Sequence, residues 1–290
     1  MTAQSTDFAP AAARRRRSLD LKRHPGIVVG ASLLILMVLI GIFAPWIGTI
    51  DPTSTSPFDR TKLPSSEFWF GTDMLGRDLY SRVVYGARVS LTVGFSVALA
   101  STILGVLIGV FAGFLRWLDA IVMRVMDGLM SIPSILLAIA LITLTSASIW
   151  NVIVAITIVE TPRTVRLCRA IVLTLREEAY VEAARVAGAG IPRIVMKHIL
   201  PNTFAPIVVQ ATYICAVAII AEASLSFIGA GVPPNIPSWG NIMAEGRSLW
   251  QIKPYIIFFP ALFLSITVLA INILGDGLRD ALDPRMTKRL

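Results

Sequence analysis

Glu177-Glu178-Ala179-Tyr180-Val181-Glu182-Ala183-Ala184-Arg185-Val186-Ala187-Gly188-Ala189-Gly190-Ile191-Pro192, running on to His198-Ile199-Leu200-Pro201-Asn202, is a polar island between long apolar runs. Residues 175–187 are strong helix formers with no breaker. Gly188 and Gly190 are each able to end that helix in the left-handed conformation, and Pro192 suits the first turn of another. Pro201 is expected to end this second helix where the next apolar run begins. The spacing predicts two short helices meeting at a glycine corner. Ala183, Ala184 and Ala187 offer a small-residue face, with Glu182 and Arg185 beside it. Two readings fit such an elbow. It is either a knob that sinks into a partner's groove, or an amphipathic helix lying among lipid headgroups, where Arg and Lys are common.

Outward from the elbow the chain is apolar. Of its 290 residues, 55% are hydrophobic and 15% charged, against about 25% charged in soluble domains. Ile27–Ile47 carries no charge, and similar stretches fill 89–115, 129–159, 203–221 and 254–275. A span needs about 20 apolar residues to cross roughly 30 Å of hydrocarbon. The 129–159 stretch is long enough for two spans joined by a tight turn. The expected fold is therefore all-α and polytopic, with six transmembrane helices. A signal peptide is the competing reading of the first run, because Arg14–Arg17 precede it. That run is too long, and no small-x-small cleavage site precedes Pro45-Trp46.

The net charge of +8 is distributed as topology demands. Basic residues gather in the N-terminal tail (Arg14–Arg17, Lys22, Arg23), from Arg163 to Lys197, and at the C-terminus (Arg279, Arg285, Lys288, Arg289). Residues 48–87 are balanced. The positive-inside rule then places both termini and the 163–200 loop in the cytoplasm of a bacterial inner-membrane protein, and it argues against a nucleic-acid partner. The expected organisation is a basic tail (1–24), a first span with an extracytoplasmic loop (25–87), a five-span core (88–280) containing the 163–200 loop, and a tail (281–290). Cys168 and Cys215 give no disulfide framework. His24 and His198 lie far apart in sequence, and no residues have metal-ligand spacing.

The 48–87 segment centres on Phe70-Gly71-Thr72-Asp73-Met74-Leu75-Gly76-Arg77-Asp78, a pattern suited to turns and local ion pairs. It reads as a folded cap over the second span or as a working loop. Ser101, Gly105, Gly109 and Gly113 recur every four residues and form one smooth helix stripe for close packing. The charges inside the apolar runs are Arg124, Asp127, Glu160 and Glu222, each expected near a span end. The midspan positions are expected to be Leu, Ile, Val, Ala and Gly, which disfavours an ion-coupled carrier.

Glu182-Ala183-Ala184, Gly188 and Ile199-Leu200-Pro201 resemble the signature loop of ATP-binding-cassette importer permeases. The resemblance covers most of 67–285 and narrows to the dipeptide/oligopeptide/nickel permease family, second (C-type) subunit. Gly71-Thr72-Asp73 through Gly76-Arg77-Asp78, Ser81-Arg82, Tyr85-Gly86, Arg166 and Arg169 carry it. Glu222–Gly229, Pro237-Ser238-Trp239-Gly240, Asn272–Asp280 and Leu282-Asp283-Pro284 extend it. Phe68-Trp69-Phe70 and Thr161 depart from the family's His-x-Leu and Trp.

The resemblance implies a type I ABC importer permease fold. It implies a homologous B-type permease partner, two ATPase subunits and an extracytoplasmic solute-binding protein. Glu178, Tyr180, Glu182, Ala183, Ala184, Arg185, Ala187, Gly188, Ile199, Leu200 and Pro201 are the implied ATPase-coupling residues. The implied cargo is a dipeptide or oligopeptide, with nickel chelates, glutathione or opine-type solutes as alternatives. The sequence has no Gly-x-x-x-x-Gly-Lys-Ser/Thr loop, so ATP and Mg are expected on the partner ATPases and the chain itself is expected to hold no cofactor and no catalytic residue. A secondary transporter and a membrane-embedded enzyme are the competing classes. Internal repeats or convergent acid, base or metal residues would favour them.

Overall fold

The computed structural model describes residues 24–282; Arg14–Arg17, Lys22, Arg23, Arg285, Lys288 and Arg289 lie outside the described residues. Among the described residues the regular structure is helical apart from one isolated antiparallel bridge, Thr72 to Asp78. The principal helices are α1 (Pro25–Ile42), α2 (Leu79–Phe114), α3 (Arg116–Ser131), α4 (Ser134–Thr143), α5 (Ile149–Leu175), α6 (Ala179–Val186), α7 (Ile191–Ile194), α8 (Leu200–Phe227), α9 (Trp239–Gly246) and α10 (Tyr255–Leu282).

α1, α2, α10 and the continuous run Ile191–Phe227 are each long and apolar enough to cross a membrane. α3 and α4 qualify only as a pair bent by 93°. α5 has 27 residues, about 40 Å at 1.5 Å per residue, but carries Glu160, Arg163, Arg166 and Arg169. Neighbouring helices must therefore cover its charged face. Among the described residues four helices, or five with the bent pair, thus meet the length and composition of a span where six were expected, and α5 is a long helix too charged to count among them.

The 129–159 stretch is not two straight spans with a tight turn. It holds the end of α3, all of α4 and the start of α5. Pro133 is the cause. Its ring holds Ile132 in extended backbone (φ −93°, ψ 132°), and it offers no N–H to continue α3. α5 also runs farther than the sequence reading has it, so residues 163–175 are helix rather than loop. Val165, Cys168 and Val172 are fully buried along one side of it.

That side meets α2, and the stripe explains how. A Cβ added at Gly105, Gly109 or Gly113 would come under 3.0 Å from Thr164, Cys168 or Val172 respectively, closer than real Cβ atoms come. Ser101 is buried at the head of the stripe, with its hydroxyl satisfied by the Val97 carbonyl at 2.6 Å. Close approach gives dispersion contact where lipid supplies no hydrophobic drive. The α1–α10 seam uses the same device, because Gly30 faces the backbone of Ala270 and Leu274.

Candidate functional site

The elbow protrudes at the end of the bundle where α2 finishes. After α5 a short turn leads to Glu178, which precedes α6 in extended backbone (φ −71°, ψ 139°). The helix starts at Ala179, four residues later than the propensity run, because the turn at 176–178 intervenes. Gly188 has φ +80°. Its N–H donates to the Arg185 carbonyl and that of Ala189 to the Ala184 carbonyl, both at 3.0 Å. This is a Schellman cap, which glycine makes without steric cost. Gly190 does not share that role, since its φ is −68°.

Val181 anchors the elbow. It is fully buried with Ile194, Ile199, Cys168 and Val172, against Val110 near the end of α2. The opposite face is bare. Tyr180, Glu182, Ala183, Arg185, Ala187 and Gly188 are exposed, and Val186 is 85% exposed. Ala184 is half-buried, so the small-residue face centres on Ala183 and Ala187. An opening of about 560 Å³ lies between the elbow and the bundle, bordered by Phe114, Arg176, Arg185 and Ile191 among others.

Pro201 does not end the second helix. It sits exposed in the first turn of α8, downstream of a π turn at Val195–Ile199 in which the Leu200 N–H reaches the Val195 carbonyl. The wider turn takes up the place where proline lacks an N–H and crowds the carbonyl four residues back. α7 and α8 are thereby joined as one rod, with Ile199 buried in the anchoring cluster and Leu200 half-buried beside it.

At the opposite end, the 48–78 loop folds over the start of α2. Gly71 (φ +80°) and Gly76 (φ +74°) occupy the left-handed region, and a Cβ at either would strike the backbone of Lys62 or Ser56. Thr72 is buried and its hydroxyl accepts the Lys62 N–H at 2.8 Å. Asp78 caps α2 by accepting the Ser81 N–H at 2.8 Å. Asp73 is fully buried. It accepts the N–H groups of Leu75 at 2.8 Å and Arg77 at 3.0 Å, together with the Arg77 Nε at 2.6 Å and the Arg82 guanidinium. Glu245 of α9 completes the cluster, receiving Arg77 Nη2 at 2.6 Å and Arg82 Nη2 at 3.0 Å. Farther out, the Lys62 ammonium and then the Ser56 hydroxyl, both bonding its carboxylate, hold half-buried Asp59 below the usual carboxylate range.

Phe68-Trp69-Phe70 also works in this docking. Phe68 is buried, Trp69 leans on Tyr80, and Phe70 stacks on Phe259 of α10 with centroids 3.9 Å apart. The Tyr255 hydroxyl donates to the Lys62 carbonyl at 2.8 Å. The loop is thus pinned to α2, α9 and α10.

Glu160 is not where the sequence reading puts it, while Glu222 lies near the end of α8 as expected but is buried rather than reaching outward. Glu222 is fully buried and accepts the hydroxyls of Ser90 (3.0 Å) and Ser226 (2.8 Å), tying α8 to α2. Gly240 and Trp239 close over the same place, with the Trp239 indole donating to the Val83 carbonyl at 3.0 Å. Glu160 lies in the middle of α5 and is 2% exposed. The middle of α5 therefore carries a buried acid. Arg166 and Arg169 pair with Asp127 and Asp119 of α3, and Thr161 donates to the Thr157 carbonyl at 2.7 Å.

Each predicted group is therefore brought together internally, but the two lie at opposite ends. The sequence reading missed Val181, Tyr255 and Glu245. Glu245 pairs across 163 positions with Arg82, which no local pattern announces. α6 holds three larger apolar residues, Tyr180, Val181 and Val186, and no local pattern tells that Val181 is the buried one.

The described residues thus form a helical bundle with an elbow at one end and a pinned loop at the other, and several of its helices are long and apolar enough to cross a membrane. The family described as binding-protein-dependent transport system inner membrane component matches residues 105–288, and the chain belongs to it. The N-terminal transmembrane domain of oligopeptide transport permease C matches residues 15–64. Among curated relatives, the "Probable peptide ABC transporter permease protein y4tQ" of Sinorhizobium fredii is 53% identical, covering 92% of both chains. The dipeptide transport system permease protein DppC of Alkalihalophilus pseudofirmus is 43% identical over 92% of this chain and 88% of that one. The glutathione transport system permease protein GsiD of Pectobacterium atrosepticum is 40% identical over 92% and 89%. In structure, the chain is similar to the MetNI methionine ABC transporter, with TM-score 0.57 and 23% identity over 70% of this chain and 97% of that one, a likeness of fold.

Proposed function

We propose that this chain is the C-type permease half of an ATP-driven, binding-protein-dependent importer of short peptides. It works with a B-type permease, two ATPases that hold ATP and Mg, and an extracytoplasmic solute-binding protein. The peptide relatives, at up to 53% identity over nearly the whole chain, support the cargo class. In this reading the elbow faces the cytoplasm with both termini, and the 48–78 loop faces outward.

The observation that carries the mechanism is the elbow's two-sidedness. One side is bolted to the bundle through Val181, Ile194 and Ile199, and the other offers Tyr180, Ala183, Val186 and Ala187 bare. A groove on an ATPase that receives this face moves the elbow as a lever. The packing of Val181 on Ile194 and Ile199 passes that movement across the glycine corner to the Ile191–Phe227 run, which continues into α8. The half-pathway between this chain and its permease partner then alternates between the two sides of the membrane. Ala183→Trp adds bulk on the bare face without touching Val181. Peptide uptake should fall at least tenfold while membrane insertion and assembly with the partner permease persist; unchanged uptake would refute the docking. Glutathione is a second cargo reading, supported by the 40% identity to GsiD.

A further inference from the structure

A cleft of about 220 Å³ opens between α4, α5 and α8. Its walls are Ile135, Ala138, Ile156, Val217 and Ala221 among others, all apolar, with Ser134 and Ser224 at its margin. One ionisable side chain borders it, Glu160. At about 30 Å³ per liquid water the space takes several waters, or a small charged group with its first carbons.

Glu160 is unusual in what it lacks. The carboxylate is 3% exposed, and among the described residues its one hydrogen bond is from Arg163 Nη1 to Oε2 at 3.2 Å. Charge-assisted bonds between cation and carboxylate are usually 2.7–2.9 Å, so this one is long. Arg163 is itself 38% exposed and reaches away from the core. The next cations along α5, Arg166 and Arg169, are engaged by Asp127 and Asp119. Oε1 receives no donor from the described residues. The contrast is Glu222, whose two oxygens each hold a serine hydroxyl. A carboxylate kept within a span is costly and marks a pathway or pairing site by default. Here the vacant oxygen belongs to a carboxylate that borders a cleft.

We propose that this cleft is a recognition subsite on the translocation path, in which Glu160 receives the protonated primary amine of the passing solute. The proposal rests on the peptide-importer reading and deepens it, because the amino terminus is the cation that every unblocked peptide carries. The apolar walls suit a first side chain of variable shape, while the carboxylate supplies the constant contact. Glu160 is thus a specificity residue, separate from the elbow and from the pinned loop.

The test uses the whole transporter in proteoliposomes, with its binding protein saturated by each of two cargoes, dialanine or N-acetyl-dialanine, loading being checked by the binding protein's intrinsic fluorescence. In wild type, dialanine should be imported faster per ATP hydrolysed. Glu160→Gln keeps size and hydrogen bonding but removes the charge. It should lower dialanine uptake per ATP by roughly 10- to 100-fold, the worth of a charged hydrogen bond, and leave N-acetyl-dialanine uptake unchanged. Glu160→Asp should recover most of the preference. Equal loss for both cargoes would assign Glu160 to packing or to contact with the partner permease and overturn the subsite, as would a variant that retains the wild-type preference. Failure of the wild-type assembly to import either peptide is a different result, visible before any variant is made. It would remove the peptide reading and this proposal with it.

Discussion

Glu245→Gln should release the 48–78 loop from the bundle. The side chain closes a cluster of two acids and two guanidiniums in which Asp73 is 0%, Arg82 1% and Arg77 9% exposed. Removing one carboxylate leaves Arg77 and Arg82 sharing Asp73, with Arg82 Nε already lacking a partner. Breaking a buried pair costs about 3–5 kcal/mol. Glu245 is 24% exposed, so water reaches part of the freed charge and about 2–4 kcal/mol is the fitting range. That is a roughly 30- to 1,000-fold increase in loop opening, at about 1.4 kcal/mol per decade.

Hydrogen exchange reads this directly. The Ile50 N–H donates to the Ser81 hydroxyl of α2 at 2.9 Å and the Leu79 N–H of α2 to the Gly71 carbonyl of the loop at 3.0 Å, so both are freed when the loop lifts. Their protection should fall by that factor while amides at the α2–α5 seam keep theirs. Adding Arg77→Gln restores charge balance and should recover a measurable part of the loss. A change below threefold at Ile50 and Leu79 would refute the claim that the cluster holds the loop.

Gly109→Leu forces a side chain into Cys168 and the Val165 carbonyl; overpacking of about 1–3 kcal/mol or more should lower the yield of folded protein in mild detergent, read by size-exclusion chromatography. Gly188→Val meets open space but a φ of +80°, so its cost is backbone strain of about 1–2 kcal/mol at the elbow; uptake per ATP should fall while the assembly still forms, and unchanged uptake would contradict it. Val181→Ala empties the anchor, and about 1–2.5 kcal/mol of lost burial should raise protease sensitivity at the elbow before any change elsewhere. Asp59 is held low by its Lys62 and Ser56 bonds, and a lowered carboxyl supports the fold above its unfolded pKa. Loop protection should therefore be flat from pH 5 to 8 and weaken only as acid titrates that carboxyl.

Much of this was legible because lipid makes simple demands. Most of the uncharged run Ile27–Ile47 lies in α1 and nearly all of 254–275 in α10, and glycines every fourth residue on α2 had to face another helix. The glycine corner and the Gly71 and Gly76 turns could likewise be read, since backbone conformation is local. What could not be read depends on partners distant in sequence. Pro133 sits in an apolar run that hydropathy alone scores as span, yet it turns the chain by 93°. Glu160 looks like a span-end charge until α5 proves to continue to Leu175. Glu245 stands alone in sequence and meets Arg77 and Arg82 only because α9 folds back over α2. Pro201 signals a helix end by propensity, but the π turn at Val195–Ile199 absorbs it.

The central claim is that the bare face of α6 is gripped from the cytoplasm by an ATPase. Val186→Cys places one reactive thiol on that face, because Cys168 and Cys215 are buried. In the assembly purified through a tag on this chain, a short thiol-to-amine crosslinker should join the introduced thiol to an ATPase subunit, and a membrane-impermeant maleimide applied to intact cells should leave it unlabelled. A thiol that labels from outside, or that forms no bond to an ATPase in the purified assembly, would contradict the account.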